Sequence, residues 1–368
     1  MKSADVAVVG GGVVGCAVAF YAARERLSVV LLERDAIGTH ASGVAAGMLT
    51  PLAEAHGADD VLPLGLESLA LFPELVAELR ERSGIDANFV RSGVLRVAAS
   101  SAQVESLRAR ARRLAAHGAE WIDGGAARAR EPELAGSIAG ALWSPLEAHI
   151  EGDLLTAAFA GAAQGLGARI ECGAPVLALL RDASGARVRG VRTPAGDWPA
   201  RWVVLATGPW AGLEGAGLAV PAPVTPVRGQ IAALRPAKLL LDSVVRGADA
   251  YLVPRRDGRV LVGATEERVG FDRRVTAEGL RSLLAAAPAL VPALADACFE
   301  AAAAGLRPVT PDGLPLLGPA PGLEGLVLAL GHSRNGILLS AITGQLVADL
   351  VSGKALPAAA RAFRPDRF

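Results

Sequence analysis

The opening segment DVAVVGGGVVGCAVAFYAARERLSVVLLERD, residues 5 to 35, leaves this chain little choice of fold. An apolar strand at residues 5 to 9 runs into Gly10-x-Gly12-x-x-Gly15, a helix reaches about Arg24, and a second strand at 28 to 32 is closed by Glu33. That is a βαβ unit carrying a dinucleotide fingerprint. Gly10 permits the tight turn, Gly12 lets backbone approach a pyrophosphate, and Gly15 lets helix and sheet pack closely. The helix N-terminus favours the phosphate charge, and Glu33 can accept from ribose hydroxyls. A glycine-rich turn without a ligand is the competing reading of such a motif. Strand, helix and acid in this order argue against it. The motif alone does not separate NAD from FAD. Val6 to Tyr21 is apolar, but it follows Asp5 and is broken by four glycines, so it reads as strand, loop and helix and not as a leader or membrane span.

Further along, 62 to 82 has helical periodicity, and FVRSGVLRVAAS switches to short alternating strands. An Ala/Arg-rich helix at about 101 to 117 and a loop-rich run through ALWSPLEAHIEGD follow, then a helix at 153 to 165 and strands at 168 to 179 and 187 to 192. WVVLATGPWA is a late strand ending at Gly208. AYLVPRRDGRVLVGATEERV is a hairpin about Asp257-Gly258, and a helix follows at 276 to 286. LVLALG closes the pattern as a strand leading into a helix from Gly336 to Val351. The expected class is α/β, α+β overall: a Rossmann-like domain from 1–83, 147–220 and 302–368, and a discontinuous antiparallel β-sheet domain from 84–146 and 221–301.

Charge narrows the partners. Lys plus Arg and Asp plus Glu each total 37, so neither a nucleic acid nor an anionic membrane is expected as the main partner. Only Lys2, Lys238 and Lys354 are lysines, so an arginine carries meaning here only where its position is unusual. Cys16, Cys172 and Cys298 stand far apart without CxxC spacing, which predicts no disulfide scaffold, no metal site and a reducing cytoplasm. The glycine-ended strand at ATGPWA and the glycine-rich junction near the C-terminus favour FAD over NAD.

Five strings carry a resemblance: AVVGGGVVG, ASGVAAGML, YLVPRRDGRVLVGAT, GLRPVTPDGLPLLGP and GHSRNGILL. Their order resembles that of the D-amino-acid oxidase superfamily of flavoproteins, and within it the glycine oxidases of thiamine biosynthesis. The likeness runs from Asp5 to about Leu350, with 84–200 matching mainly in pattern. It implies noncovalent FAD and oxidation of a small amino acid, glycine first, by hydride transfer from Cα to flavin N5. The imine hydrolyses, and O2 reoxidises the flavin to give hydrogen peroxide. It also implies a homo-oligomer and a functional link to thiazole synthase. A D-amino-acid or secondary-amine oxidase or dehydrogenase of the same fold is the nearest alternative, and a flavin-holding structural or sensor protein is the non-enzymatic one.

Carried over residue by residue, the resemblance implies an FAD shell of Gly10, Gly12, Val13, Val14, Gly15, Glu33, Arg34, Ala41, Ser42, Ala46, Gly47, Met48, Val176 and Gly208. His332, Ser333, Arg334, Asn335, Gly336, Ile337 and Leu338 would run along the isoalloxazine. Arg307, read as a loop residue, would clamp the substrate carboxylate, for which a planar two-pronged donor is well suited. Tyr251 would be a second carboxylate or imine contact, with a core tyrosine as its competing reading. Arg334 would add charge beside both, and Asn335 would cap the last helix. His149 reads as an ordinary loop residue, and Met48 equally as core filler. Asp249 and Glu266 depart from the family pattern near the pocket. Gly305 stands where sarcosine oxidases attach their flavin through cysteine, so a noncovalent cofactor is implied.

Overall fold

The computed structural model describes residues 3–54, 61–212 and 222–368. The expected domain boundary at 220/221 lies outside these residues. Two eight-stranded sheets organise the described chain. The first has the order Leu316–Pro319, Leu326–Leu330, Gly196–Leu205, Ala4–Val9, Val29–Leu32, Arg169–Glu171, with Ala178–Arg181 and Val188–Thr193 joined off Gly196–Leu205. Pairing is parallel through its centre, where Val6 lies opposite both Val29 and Trp202, and Val204 lies opposite Val327. At their paired centres these strands are apolar and buried, at residues 6–9, 29–32, 203–205 and 326–330, as expected where both faces of a parallel sheet are covered. Helix Val13–Arg24 packs against the last helix, Gly336–Val351, so closely that a Cβ on Gly344 would come within 2.9 Å of the Ala17 carbonyl.

The second sheet has the order Cys298–Val309, Thr225–Arg235, Val260–Gly263, Tyr251–Pro254, Val244–Arg246, Val94–Ala98, Gly140–Ser144, Glu120–Asp123. Every pairing in it is antiparallel except that of Val244–Arg246 with Val94–Ala98. The Asp257-Gly258 hairpin stands as read, between Tyr251–Pro254 and Val260–Gly263.

Three local expectations change. The run ALWSPLEAHIEGD is not mainly loop: Gly140–Ser144 is a buried strand, and Ala148–His149 pairs with Met48–Leu49. Arg307 is a strand residue, because Cys298–Val309 is one long strand that passes through the expected boundary at 301/302. The alanine run at its start hides the alternation by which a strand is recognised. His149 is likewise a buried strand residue opposite Met48. No described helix is long and apolar enough to cross a membrane.

Candidate active site

A cavity of about 380 Å³ runs from the glycine fingerprint to the face of the second sheet. At its first end Gly10 has φ +107°, which a side chain would strain, and a Cβ on Gly15 would lie 1.9 Å from the Gly10 carbonyl. The turn therefore closes tightly enough to aim the start of helix Val13–Arg24 into the cavity. Glu33, buried at the end of its strand, fastens this turn: one carboxylate oxygen accepts from Gly11 N at 2.6 Å, the other from Asp35 N at 2.7 Å. Ser42 Oγ accepts from Val13 N at 2.9 Å. Arg34 stacks on Trp210 at 4.9 Å, and both reach the cavity wall.

The other end is made of side chains. Arg307 lies across Gly229 on the neighbouring strand, where any Cβ would fall 2.3 Å from its guanidinium. Tyr251 lies in the same way across Gly263, where a Cβ would sit 2.3 Å from the phenol oxygen. Glycine inside a strand gives the room for this close approach. Arg307 Nη1 donates to the Thr265 carbonyl at 3.0 Å, which fixes the plane of its fork. Burial pulls the Arg307 guanidinium below its ordinary value, the Tyr251 phenol counters this, and Arg334 adds repulsion. Burial pushes the Tyr251 phenol up, opposed by the guanidinia of Arg307, Arg334, Arg246 and Arg255. A protonated phenol that shares its wall with the Arg307 and Arg334 guanidinia is suited to receive an anion.

At the junction of the two ends, strand Leu326–Leu330 turns into the last helix through Gly331 to Asn335. His332 is buried, and its Nε2 meets Thr343 Oγ1 at 3.0 Å. Burial lowers it to about 4, so the ring is neutral. Arg334 is 41% exposed at the rim and faces Glu266 at 3.8 Å. Asn335 occupies the N-cap position without a side-chain cap bond, because it is itself the last residue of the short helical turn Ser333–Asn335 and not extended.

Gly10, Gly12, Val13, Val14, Glu33, Arg34, Ala41, Ser42, Ala46, Gly47, Met48, Val176, Gly208, Tyr251, Arg307 and the run His332 to Ile337 all share this one wall. Gly15 acts one layer behind it, through packing. Leu338 does not reach it: its side chain is buried toward Gly65, and its carbonyl accepts from Ser68 Oγ. Asp249 does not reach it either, being exposed in the tight turn between Val244–Arg246 and Tyr251–Pro254. Sequence reasoning passes over Trp210 and Thr207, and over the two strand glycines, Gly229 and Gly263, although a glycine within an alternating strand is itself a mark of close approach.

The wall fits a flavin dinucleotide. Side-chain-free backbone lines the phosphate end, and Thr207 Oγ1 is buried there without a partner. No cysteine is part of the wall; Cys16 is buried elsewhere, and Cys172 and Cys298 are exposed. Among the described lining residues Glu33 is the one carboxylate, and it stands at the dinucleotide end.

Comparison with known proteins agrees with this geometry. The family model FAD dependent oxidoreductase (DAO) matches residues 5–350. Glycine oxidase of Geobacillus kaustophilus is 40% identical over 354 residues, covering 95% of this chain and 93% of the relative. The crystal structure of a glycine oxidase from that organism superposes with a TM-score of 0.95, at 39% identity and full coverage of both chains. The bifunctional protein ThiO/ThiG of Synechocystis is 37% identical over the whole of this chain, which spans 54% of that longer relative.

Proposed function

We propose, on the premise that the chain belongs to the FAD dependent oxidoreductase family, that it is a glycine oxidase. The reaction is glycine + O2 + H2O to glyoxylate + NH3 + H2O2. One observation carries the substrate reading: Arg307 and Tyr251, seated over Gly229 and Gly263, face the cavity that the dinucleotide fingerprint opens. FAD bound there supplies a two-electron acceptor that O2 afterwards reoxidises.

The chain's own residues handle the amino acid. The Arg307 fork, aligned by Thr265, pairs with the substrate carboxylate, and the Tyr251 hydroxyl donates to the same group. The catalytic assignments of Arg307, Tyr251 and Arg334 rest on this placement. Among the described residues no carboxylate lines the amino-acid end, and His332, which burial lowers to about 4, is held by Thr343. With the substrate amine bound as the free base, its lone pair assists departure of the Cα hydrogen, and no protein general base is called on. Arg334 at the rim steers the anion inward and is restrained by Glu266. A partnership with thiazole synthase is part of the same proposal, supported by the fused ThiO/ThiG relative. Self-association and a cytoplasmic setting belong to it as expectations carried from the sequence.

The test is an anaerobic titration of the yellow protein with glycine, sarcosine and small D-amino acids. Bleaching by glycine at the lowest concentration is expected. Bleaching by a secondary amine or a larger D-amino acid in preference overturns the substrate, and no bleaching overturns the enzyme. Stopped-flow reoxidation that is slow with O2 and fast with a quinone overturns the oxidase in favour of a dehydrogenase.

A further inference from the structure

Outside the cavity wall stands a carboxylate that the proposed chemistry does not use. Glu147, fully buried, lies in the turn between Gly140–Ser144 and Ala148–His149. Its Oε1 accepts from Leu52 N at 2.6 Å and Ala53 N at 2.8 Å. The carbonyls of the same two residues are taken by arginines: Arg110 Nη2 donates to Leu52 O at 2.6 Å and Arg96 Nη1 to Ala53 O at 2.8 Å. Charged side chains from the turn, from strand Val94–Ala98 and from helix Ser101–Leu114 thus grip this short stretch of backbone from both sides.

The gripped residues belong to a single helical turn, Pro51–Glu54, too short to hold its own shape. That turn follows directly on Met48 and Thr50, which line the cavity. Met48 and Ala53 also pack in one apolar cluster with Ile231 and Tyr251. The backbone held by Glu147 is therefore one short step from the phenol at the amino-acid end.

We propose that Glu147, aided by Arg96 and Arg110, is a positioning residue for the reaction: it seats the segment Met48–Ala53 against Tyr251 and thereby sets how tightly the substrate carboxylate is held. The inference deepens the glycine-oxidase reading, and only its kinetic arm rests on it.

The grip responds to pH. Burial pushes the Glu147 carboxyl up to about 7, opposed by the amides of Ala53 and Leu52, the Ser144 hydroxyl and the Arg110 guanidinium. Around it stand Arg110 from the helix, Arg96 from the neighbouring strand, and His149, which burial lowers to about 4 and keeps neutral. Glu147 Oε1 accepts from both amides, so the proton is taken at Oε2. Ionised, the carboxylate makes charge-assisted bonds of roughly twice the strength. The seat is thus firmer above neutrality than below it.

The experiment uses FAD-loaded wild type, Glu147→Gln and Glu147→Ala. Glycolate, a glycine-shaped carboxylate, is titrated through the visible absorption of the bound flavin between about pH 5.5 and 8.5, and amide exchange is followed across residues 48–53. The substitution Glu147→Ala is expected to weaken glycolate and raise the glycine KM by about tenfold, with the limiting rate of flavin reduction changed much less. Exchange at Leu52 and Ala53 accelerates. In Glu147→Gln the seat is retained, and the step in glycolate affinity expected of wild type near pH 7 is absent. A step that persists in Glu147→Gln overturns the proposal, as does a folded Glu147→Ala with wild-type affinity and exchange. Should Glu147→Ala fail to fold, Glu147→Gln decides alone. If no amino acid reduces the wild-type flavin, the oxidase reading fails while the glycolate and exchange arms still judge Glu147.

Discussion

Between Gly10 and Glu33 the cavity wall is backbone, shaped by glycines that lie close together in sequence and fastened by one carboxylate. Between Tyr251 and Arg307 it is side chain, and each of these groups rests on a glycine of a neighbouring strand. On the function proposed, the first end would take phosphate through amides and a helix terminus, a solution that tolerates many neighbours. The second would take a carboxylate through one phenol and the guanidinia of Arg307 and Arg334, a solution that depends on register. Binding of cofactor and binding of substrate are thereby assigned to different parts of the chain and should fail separately.

The strongest attempt to break that separation is Arg307→Leu. A loss of roughly 2–5 kcal/mol in transition-state binding is expected from removing one partner of a desolvated charge pair, read as kcat/KM for glycine, with the flavin spectrum retained. Loss of flavin along with activity would show that the two ends are one unit.

Acid should tell the ends apart next. His149, behind the Met48 strand, and His332, in the junction turn, are both lowered by burial from 6.5 to about 4. Above pH 6.5 both folded and unfolded chains are neutral at these rings, and the full stability is present. As pH falls from 6.5 through 4 the unfolded chain takes up protons first, and stability is lost. Each ring contributes at most about 3 kcal/mol to that loss. Urea midpoints measured across this window should fall on acidification, and His332→Asn should flatten its share of the slope.

At the dinucleotide end, Gly15→Ala forces a Cβ against the Gly10 carbonyl, which it would approach to 1.9 Å. Overpacking of about 1–3 kcal/mol is expected, together with loss of bound flavin, both seen in the purified protein's absorbance and urea midpoint. A yellow Gly15→Ala protein would mean that the turn relaxes without cost. The smallest effect belongs to Arg334→Ala: the side chain is 41% exposed and its contact with Glu266 is 3.8 Å. Stability should shift by less than about 1 kcal/mol, and glycine KM should rise while flavin affinity stays put.

The same contrast explains what could be read from residues alone. Gly10, Gly12, Gly15 and Glu33 form one local pattern, so their strand and helix, the wall shared by Gly10, Gly12 and Glu33, and the packing at Gly15 are legible from spacing. Arg307 and Tyr251 were reached through resemblance, because nothing in RPVTPDG or AYLVP states which strand will lie beside which. The alanine-rich start of Cys298–Val309 masked the strand that carries Arg307. Leu338 was placed one residue too far along the wall, since a helix turns its successive side chains through about 100° and Ile337 already faces the cavity. Glu147 left no trace in the pattern at all: its meaning depends on the amides of Leu52 and Ala53, far away in the chain.

The close fit of helix Val13–Arg24 against Gly336–Val351 bears on how the protein is made. The strand Ala4–Val9 pairs with Gly196–Leu205, and that strand pairs with Leu326–Leu330, three strands made far apart in the order of synthesis. A wall that needs all three is complete only once Leu326–Leu330 and the helix after it have been made, so flavin capture follows them.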